Sequence, residues 1–439
     1  MAQEPPPYTP PTRRRHPRSN IALPGYPAVS ASASTDSHST LGTFRCQHRY
    51  SLETSKGRPW VTLTVHSRSP NSNLLPLFFE RDIISGSISL DLAKPDSIRS
   101  INISIQAGTT ALGQQQEVFL ETSQTIWSQP SGKLQGFHSW TFSISIPTTV
   151  SLPEPRNPQP RVFHLPPRFS ERGGLVHIDY KISVTVKRGM LAVNSTLGTN
   201  FVYLPKSVAE APSALRALAY RQGTALIAPH GDPEGWKVLP EVETNGNLFG
   251  SRPVSLAVAT PLCYATNTSI PLHMTLRSAD QVAVDFLSSP QVIIVRLVRT
   301  VAINDNSMLR ASNSFDDFLG RAVFWTIEEQ SSQPGKKALW GELHLRKGLK
   351  PSFVFQKISL RYTISLYPPQ ASGFVLSSSP HQPLASQEVR VALMNPPGIR
   401  CRSYAPPGLI EEHDTEYSGS PTAPAHIAIS LGRAGDQLF

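Results

Sequence analysis

Pro5-Pro6-Pro7-Tyr8 is a Pro-Pro-x-Tyr ligand, and it carries the most definite chemistry of any short motif in this chain. Proline locks φ near the polyproline II value, so the segment is extended before a partner arrives and loses little entropy on docking. Polyproline II repeats every three residues, which puts Pro5 and Tyr8 on one face. That is the face an aromatic-lined WW-domain groove reads, one slot taking a proline ring (Pro5 and Pro6 supply them) and another taking Tyr8. Thr9-Pro10 adjoins it, where a phosphate would add about two negative charges beside the docking site. Arg13, Arg14, Arg15 and Arg18 follow. They suit peripheral contact with an anionic membrane, at about 1 kcal/mol per basic residue near the surface. A soluble tail, or a kinase recognition run for Ser19, accounts for them equally. Near the other end, Pro421, Thr422, Ala423 and Pro424 have the form of a late-domain ligand for the ESCRT-type sorting machinery; a chance match in a Pro/Ser/Thr-rich stretch is the competing reading.

Catalytic signatures are missing. The sequence has no Gly-x-x-x-x-Gly-Lys loop, Gly-x-Ser-x-Gly elbow or His-Glu-x-x-His pair, and its 13 histidines are scattered singly. The expectation is a protein that is not an enzyme and has no catalytic residues, no metal and no cofactor. Cys46, Cys263 and Cys401 are far apart and odd in number, which supports neither a zinc site nor a disulfide framework and points to a reducing compartment. Three Asn-x-Ser/Thr matches (Asn102, Asn194, Asn267) are read as chance. The N-terminal residues lack an apolar h-region, and no apolar run approaches the ~20 residues of a membrane span, so a soluble cytosolic protein is expected. The net charge of +10 fits an acidic partner or plain solubility, since the basic residues are dispersed.

The elements that would position these motifs are strands. Charged residues are only 16% of the chain, against 41 prolines and 27 glycines, a profile of many short strands and turns. Period-2 alternation is explicit in Val61/Leu63/Val65, in Ile84 to Leu92, in Ile101/Ile103/Ile105, in Trp140 to Ile146, and longest in Val176 to Val186. It lapses around 205–240, where Ala209 to Tyr220 predicts a helix with Leu215, Leu218 and Ala219 on its apolar side. It resumes at Val254/Leu256/Val258, Ile270 to Leu276, Leu343/Leu345, Ile358 to Leu366 and Val389 to Leu393. Val292 to Val301 is apolar at both parities apart from Arg296 and Arg299, predicting a central strand covered on both faces, with the two arginines making structural pairs. The expected organisation is all-β. A disordered tail (1–44) precedes a first antiparallel sandwich (45–206), a linker with a short helix (207–247), a second sandwich (248–398) and a disordered acidic tail (399–439).

Several segments resemble the arrestin fold, and within it the α-arrestins, the arrestin-related trafficking adaptors. Phe78-Phe79-Glu80-Arg81-Asp82-Ile83-Ile84-Ser85-Gly86 resembles an early strand of that family. His138 to Pro147 is similar to its W-x-F-x-[FI]-x-[IL]-P strand. Leu165-Pro166-Pro167-Arg168-Phe169 followed by Ile178-Asp179-Tyr180-Lys181-Ile182 resembles the approach to its I-x-Y-x-[IV] strand. Ser269-Ile270-Pro271-Leu272 and Val292 to Arg299 resemble parts of its C-terminal domain. The resemblance spans about 50–395. It implies two immunoglobulin-like sandwiches that bind the cytosolic tails of membrane transporters or receptors, while the Pro-Pro-x-Tyr motif recruits a WW-domain HECT-type ubiquitin ligase, so that the cargo is ubiquitinated and endocytosed. It also implies a cytoplasmic protein, transiently at the plasma membrane and endosomes. In such a frame Lys181 and Lys187, on the polar parity of their strand with His177 and Asp179, are candidate contacts for acidic or phosphorylated cargo tails; a solvated sheet face is the plainer reading.

Two departures stand out. Family members often carry several Pro-Pro-x-Tyr motifs, commonly after the C-terminal domain, whereas here one stands at the N-terminus; Tyr367-Pro368-Pro369 and Tyr404-Ala405-Pro406-Pro407 have the order reversed. A single short motif needs a second contact for avidity. The buried polar latch of visual arrestins is not located in the sequence. The alternative is a trafficking scaffold similar to retromer's arrestin-fold subunit, without ligase recruitment. Nucleic acid is not an expected partner, because no interleaved aromatic stacking platform accompanies the positive charge.

Overall fold

The computed structural model describes residues 46–111, 115–129, 132–154, 157–170, 176–189, 192–245, 251–303, 313–326, 335–369, 381–407 and 409. The first block contains β1 (Cys46–Glu53), β2 (Pro59–Ser67), β3 (Leu77–Phe79), β4 (Ile83–Asp96), β5 (Ile98–Ala111), β6 (Glu117–Ser128), β7 (Leu134–Ser145), β8 (Thr149–Glu154), β9 (Asn157–His164), β10 (Val176–Arg188) and β11 (Ser195–Leu204). Sheet order is β1-β2-β4-β7 facing β3-β11-β10-β5-β6, with β8-β9 a separate hairpin. Pairing is antiparallel except for β3 on β11. The alternation that predicted these strands is also what closes the sandwich. Val176, Ile178, Tyr180, Ile182, Val184 and Val186 of β10 all point inward, opposite Ile84, Ile88 and Leu90 of the other sheet, and all are buried.

Gly86 shows why one strand position cannot carry a side chain. It lies between Val65 and Phe142 in the pairing. A Cβ there would collide with the Thr64 carbonyl oxygen and stand 2.8 Å from Phe142 Cζ. Two of the quoted motif segments also meet: the Tyr180 hydroxyl donates to the Pro166 carbonyl at 2.6 Å, and Phe169 and Ile178 exchange backbone hydrogen bonds.

After β11 come α1 (Ala214–Gln222) and a single 3-10 turn (Pro233–Gly235). The second block then contains β12 (Trp236–Val238), β13 (Val242–Asn245), β14 (Ser251–Ala259), β15 (Cys263–Ala265), β16 (Ser269–Arg277), α2 (Gln281–Leu287), β17 (Ile294–Ile303), β18 (Asn313–Arg321), β19 (Val323–Trp325), β20 (Lys336–His344), β21 (Phe353–Phe355), β22 (Ile358–Tyr367) and β23 (Ala385–Ala392). Here β12-β14-β16-β20-β19, with β13 beside β14, faces β15-β23-β22-β17-β18, with β21 beside β22. Leu256, Val258, Leu272, Met274, Leu339 and Leu343 meet Val295, Leu297, Leu360, Tyr362, Ile364 and Val389 between the layers. The fold is all-β, two sandwiches in tandem.

Three expectations need correction. The stretch 207–247 is not a free linker: β12 and β13 pair with β14, and the Ala209 amide donates to the Met394 carbonyl at 2.8 Å. The helix begins five residues later than the start of the predicted patch and, while Ala219 is buried as expected, Leu215 and Leu218 are turned outward. Arg216, Ala219 and Tyr220 are buried, while Leu215 and Leu218 are 41% and 47% exposed. Arg216 bonds to two loop carbonyls, and this turns the helix so that Arg216 and Tyr220 join Ala219 on the buried side in place of the two leucines. Residues 399–407, assigned to the tail, lie against the second sandwich. A second helix, α2, was not anticipated. Asp280 caps it, accepting from the Val282 and Ala283 amides, and Ala283, Val284 and Leu287 are buried.

Arg296 and Arg299 do leave opposite faces of β17. Arg299 pairs with Asp317 at 2.5 Å, whereas Arg296 lies over the rings of Phe318 and Tyr367.

The two sandwiches share an aromatic seam. Phe355 of β21 is fully buried, its ring 4.6 Å from Phe119 and 5.6 Å from Phe163, both of the first sandwich. Phe353 meets Phe169 at 5.8 Å. Lys350 caps the seam, its Nζ 4.2 Å from the Phe169 ring centre and donating to the Ser170 carbonyl at 3.2 Å. The core runs without a break from one sandwich into the other. No helix among the described residues is long and apolar enough to cross a membrane.

Candidate functional site

Of the residues singled out in the sequence, Pro5, Pro6, Tyr8, Pro421, Thr422, Ala423 and Pro424 lie outside the described residues. Lys181 and Lys187 are exposed on the outward face of β10. Six residues of strand separate them, about 20 Å at the usual rise. Lys181 stands opposite Gln106 and Asn200, and Lys187 opposite Ser100. Between them the Ser104 and Ser183 hydroxyls bond at 3.0 Å, while Asp179, two residues before Lys181 on the same face, is held by Arg168 at 3.0 Å. The structure therefore does not gather these lysines into one patch; they stand at separate points along the outward face of the sheet.

A denser constellation lies on the outer face of the second sandwich. The strands that turn leucines inward turn a different set outward. Ala257, His273, Trp340 and Trp325 form one cross-strand row over β14, β16, β20 and β19, and Ala259, Pro271, Glu342 and Val323 belong to the same face. Helix α1 covers part of it. Ser213 caps the helix, accepting from the Arg216 amide and donating to Asp232 Oδ2 at 2.6 Å. The Arg216 guanidinium, 4% exposed, donates Nη1 to the Thr260 carbonyl at 2.7 Å and Nη2 to the Gly235 carbonyl, and it lies 4.8 Å from the centre of the Trp236 ring. Burial lowers its pKa, and these acceptors with the indole face offset the lost hydration. His273 meets the edge of Trp340 at 5.1 Å. Burial, and secondarily His230 and Lys336, pushes its pKa down to about 4, so the ring is neutral at pH 7.

Residues 399–407 form a strap over the rest of this face. Ile399, Cys401 and Tyr404 pack against the cluster, and Tyr404 stacks on Tyr220 with ring centres 6.1 Å apart. The anchor is Glu342, 3% exposed. It accepts from the Ser403 hydroxyl at 2.6 Å through Oε2 and from the Tyr404 amide at 2.5 Å through Oε1. Burial raises the Glu342 pKa, and these hydrogen bonds oppose that shift. The Arg402 guanidinium lies where a side chain at Gly223 would stand, beside the left-handed C-cap of α1; a cation is favoured at that end of a helix.

Sequence reasoning missed this arrangement. The available hint was the apolar and aromatic island Ile399-Arg400-Cys401-Arg402-Ser403-Tyr404 immediately ahead of the acidic stretch. Chemically, the cluster holds one segment of the chain in a seat that is aromatic on one side and anchored by a buried carboxylate on the other. Among the described residues, no group of three or more His, Cys, Asp or Glu side chains is placed to hold a metal ion. In comparisons with known proteins, no family model and no curated protein matches the chain.

Proposed function

We propose that the chain is a non-enzymatic, arrestin-like adaptor. Its N-terminal Pro5-Pro6-x-Tyr8 recruits a WW-domain HECT-type ubiquitin ligase, and its sandwiches engage cytosolic tails of membrane transporters or receptors, promoting their ubiquitination and endocytosis. In this reading it works in the cytoplasm and visits the plasma membrane and endosomes transiently. What supports the proposal is the presence in one chain of a Pro-Pro-x-Tyr motif, the sequence a WW-domain groove reads, and a body of two sandwiches sharing one core. A shared core holds any surface on one sandwich at a constant attitude to the other, as a scaffold that presents cargo to a tethered enzyme requires. Because one short motif binds weakly, ligase recruitment rests on a second contact or on several adaptors at one membrane patch. The solitary motif is also what favours the second reading, an arrestin-fold trafficking scaffold without ligase recruitment.

Immobilised WW domains separate the two readings. The adaptor reading requires the full chain to be retained, and the Pro6→Ala and Tyr8→Ala chains to be lost in the wash. Equal recovery of all three leaves only the scaffold.

A further inference from the structure

We propose that Ser403 is a phosphoacceptor, and that a phosphate there releases residues 399–407 from the outer face of the second sandwich. The two halves of this inference rest on different features of the same residue. Ser403 is exposed and lies in a segment without regular secondary structure, between exposed Arg400 and Arg402 and the prolines Pro406 and Pro407. A serine with arginines three residues and one residue before it, in a segment without regular secondary structure, presents the cationic signature that an acidic kinase cleft reads. Yet its hydroxyl is committed, donating to a carboxylate that is itself buried. An accessible acceptor group thus doubles as the polar pin of the strap.

Phosphorylation inverts that pin. The γ-phosphoryl of a nucleoside triphosphate passes to Ser403 Oγ: an Oγ–P bond forms, the bond from the γ-phosphorus to the bridging oxygen breaks, the diphosphate departs, and the hydroxyl proton goes to the kinase's base. Oγ then has no proton to donate, and a group carrying close to two negative charges stands where a donor faced Glu342. The other strap bonds to Glu342, from the Tyr404 and Ala405 amides, are one and two residues away and are strained by the same repulsion. Arg216 does not neutralise the pair, because its guanidinium is engaged by the Thr260 and Gly235 carbonyls and by Trp236. What leaves with the strap is the cover of an aromatic face, Tyr220 and Trp340 included, so modification would expose a surface of the second sandwich that is otherwise closed. This inference does not depend on the adaptor reading.

Cys401 reports the state of the strap. It packs in the cluster and burial raises its thiol pKa, whereas Cys46, on β1 of the first sandwich and remote from the strap, serves as the control for the fold; Cys263 lines the same cavity as Cys401 and is not used as one. The full chain is incubated with ATP and an arginine-directed serine/threonine kinase, the modified serines are located by peptide mass mapping, and alkylation of each thiol by iodoacetamide is timed. The expected result is phosphate on Ser403, Cys401 alkylated at least tenfold faster with Cys46 unchanged, reversal by phosphatase, and no kinase-dependent change in the Ser403→Ala chain, whatever its own baseline rate. Three results overturn the proposal: no phosphate on Ser403, a modified Ser403 with Cys401 unchanged, or acceleration of Cys46 together with Cys401, which would mean that the fold at large had opened.

Discussion

Truncating Phe355 to alanine attacks the seam through the residue best placed to break it. The ring is 0% exposed and meets Phe119 and Phe163 at 4.6 and 5.6 Å, while the adjacent Val354 is 58% exposed. Burying a phenylalanine removes roughly 150–250 Å² from water, and truncation of such a ring in a core costs about 3–5 kcal/mol. Two aromatic contacts at once argue for the upper half, about 4 kcal/mol. Val354→Ala should change stability by less than about 0.5 kcal/mol. The assay is urea unfolding followed by tryptophan fluorescence, to which Trp60, Trp127 and Trp140 contribute from the first sandwich and Trp236, Trp325 and Trp340 from the second. The wild-type chain should unfold in one transition because its core is continuous. Phe355→Ala should lower the midpoint and split or broaden the transition, reducing its apparent slope, because the sandwiches then unfold as separate units. A loss below about 1 kcal/mol with the slope unchanged, or a result matching Val354→Ala, would refute the claim that the seam couples the two layers.

Other substitutions test narrower points. Gly86→Ala should yield little folded protein, measured as soluble yield and thermal midpoint, because the new methyl has to displace the Thr64 backbone or the Phe142 ring. Asp82 accepts two bonds from Arg68, at 2.6 and 2.8 Å, and one from the Phe79 amide, so Asp82→Asn should cost near the lower end of ~3–5 kcal/mol in denaturant midpoint, Arg68 being partly exposed. His273 has its folded pKa depressed from 6.5 to about 4, so the folded state binds fewer protons than the unfolded state inside that window. Its contribution is fully present above pH 6.5 and is lost as pH falls towards 4, by up to about 3 kcal/mol. In His273→Gln, the acid-side fall in stability should be shallower by that amount; parallel pH profiles would count against a neutral buried imidazole.

How far the sequence disclosed the fold depended on where each stabilising contact lies. β10 was legible because six alternating apolar residues can bury together in only one register. β17 was legible because its apolar residues at both parities require cover on both sides, which Tyr367 and the main core supply. Helix α1 was visible as an interruption of alternation, but its orientation rests on polar bonds from Arg216 that a hydrophobic-face argument does not register. The seam was invisible, since nothing local about Phe355 distinguishes it from any strand phenylalanine until Phe119 and Phe163 arrive from distant segments. The strap escaped for a similar reason: its anchor is one carboxylate in β20, 61 residues before Ser403, and a short aperiodic segment ahead of an acidic stretch reads as tail.

Proximity labelling tests the adaptor proposal most directly, with the labelling enzyme fused to the full chain in cells and compared with the Tyr8→Ala chain. The account predicts the same set of labelled membrane proteins in both, with a WW-domain ligase labelled by the first and missing from the second. Equal labelling of the ligase by both chains, or the absence of membrane proteins from both, would contradict it.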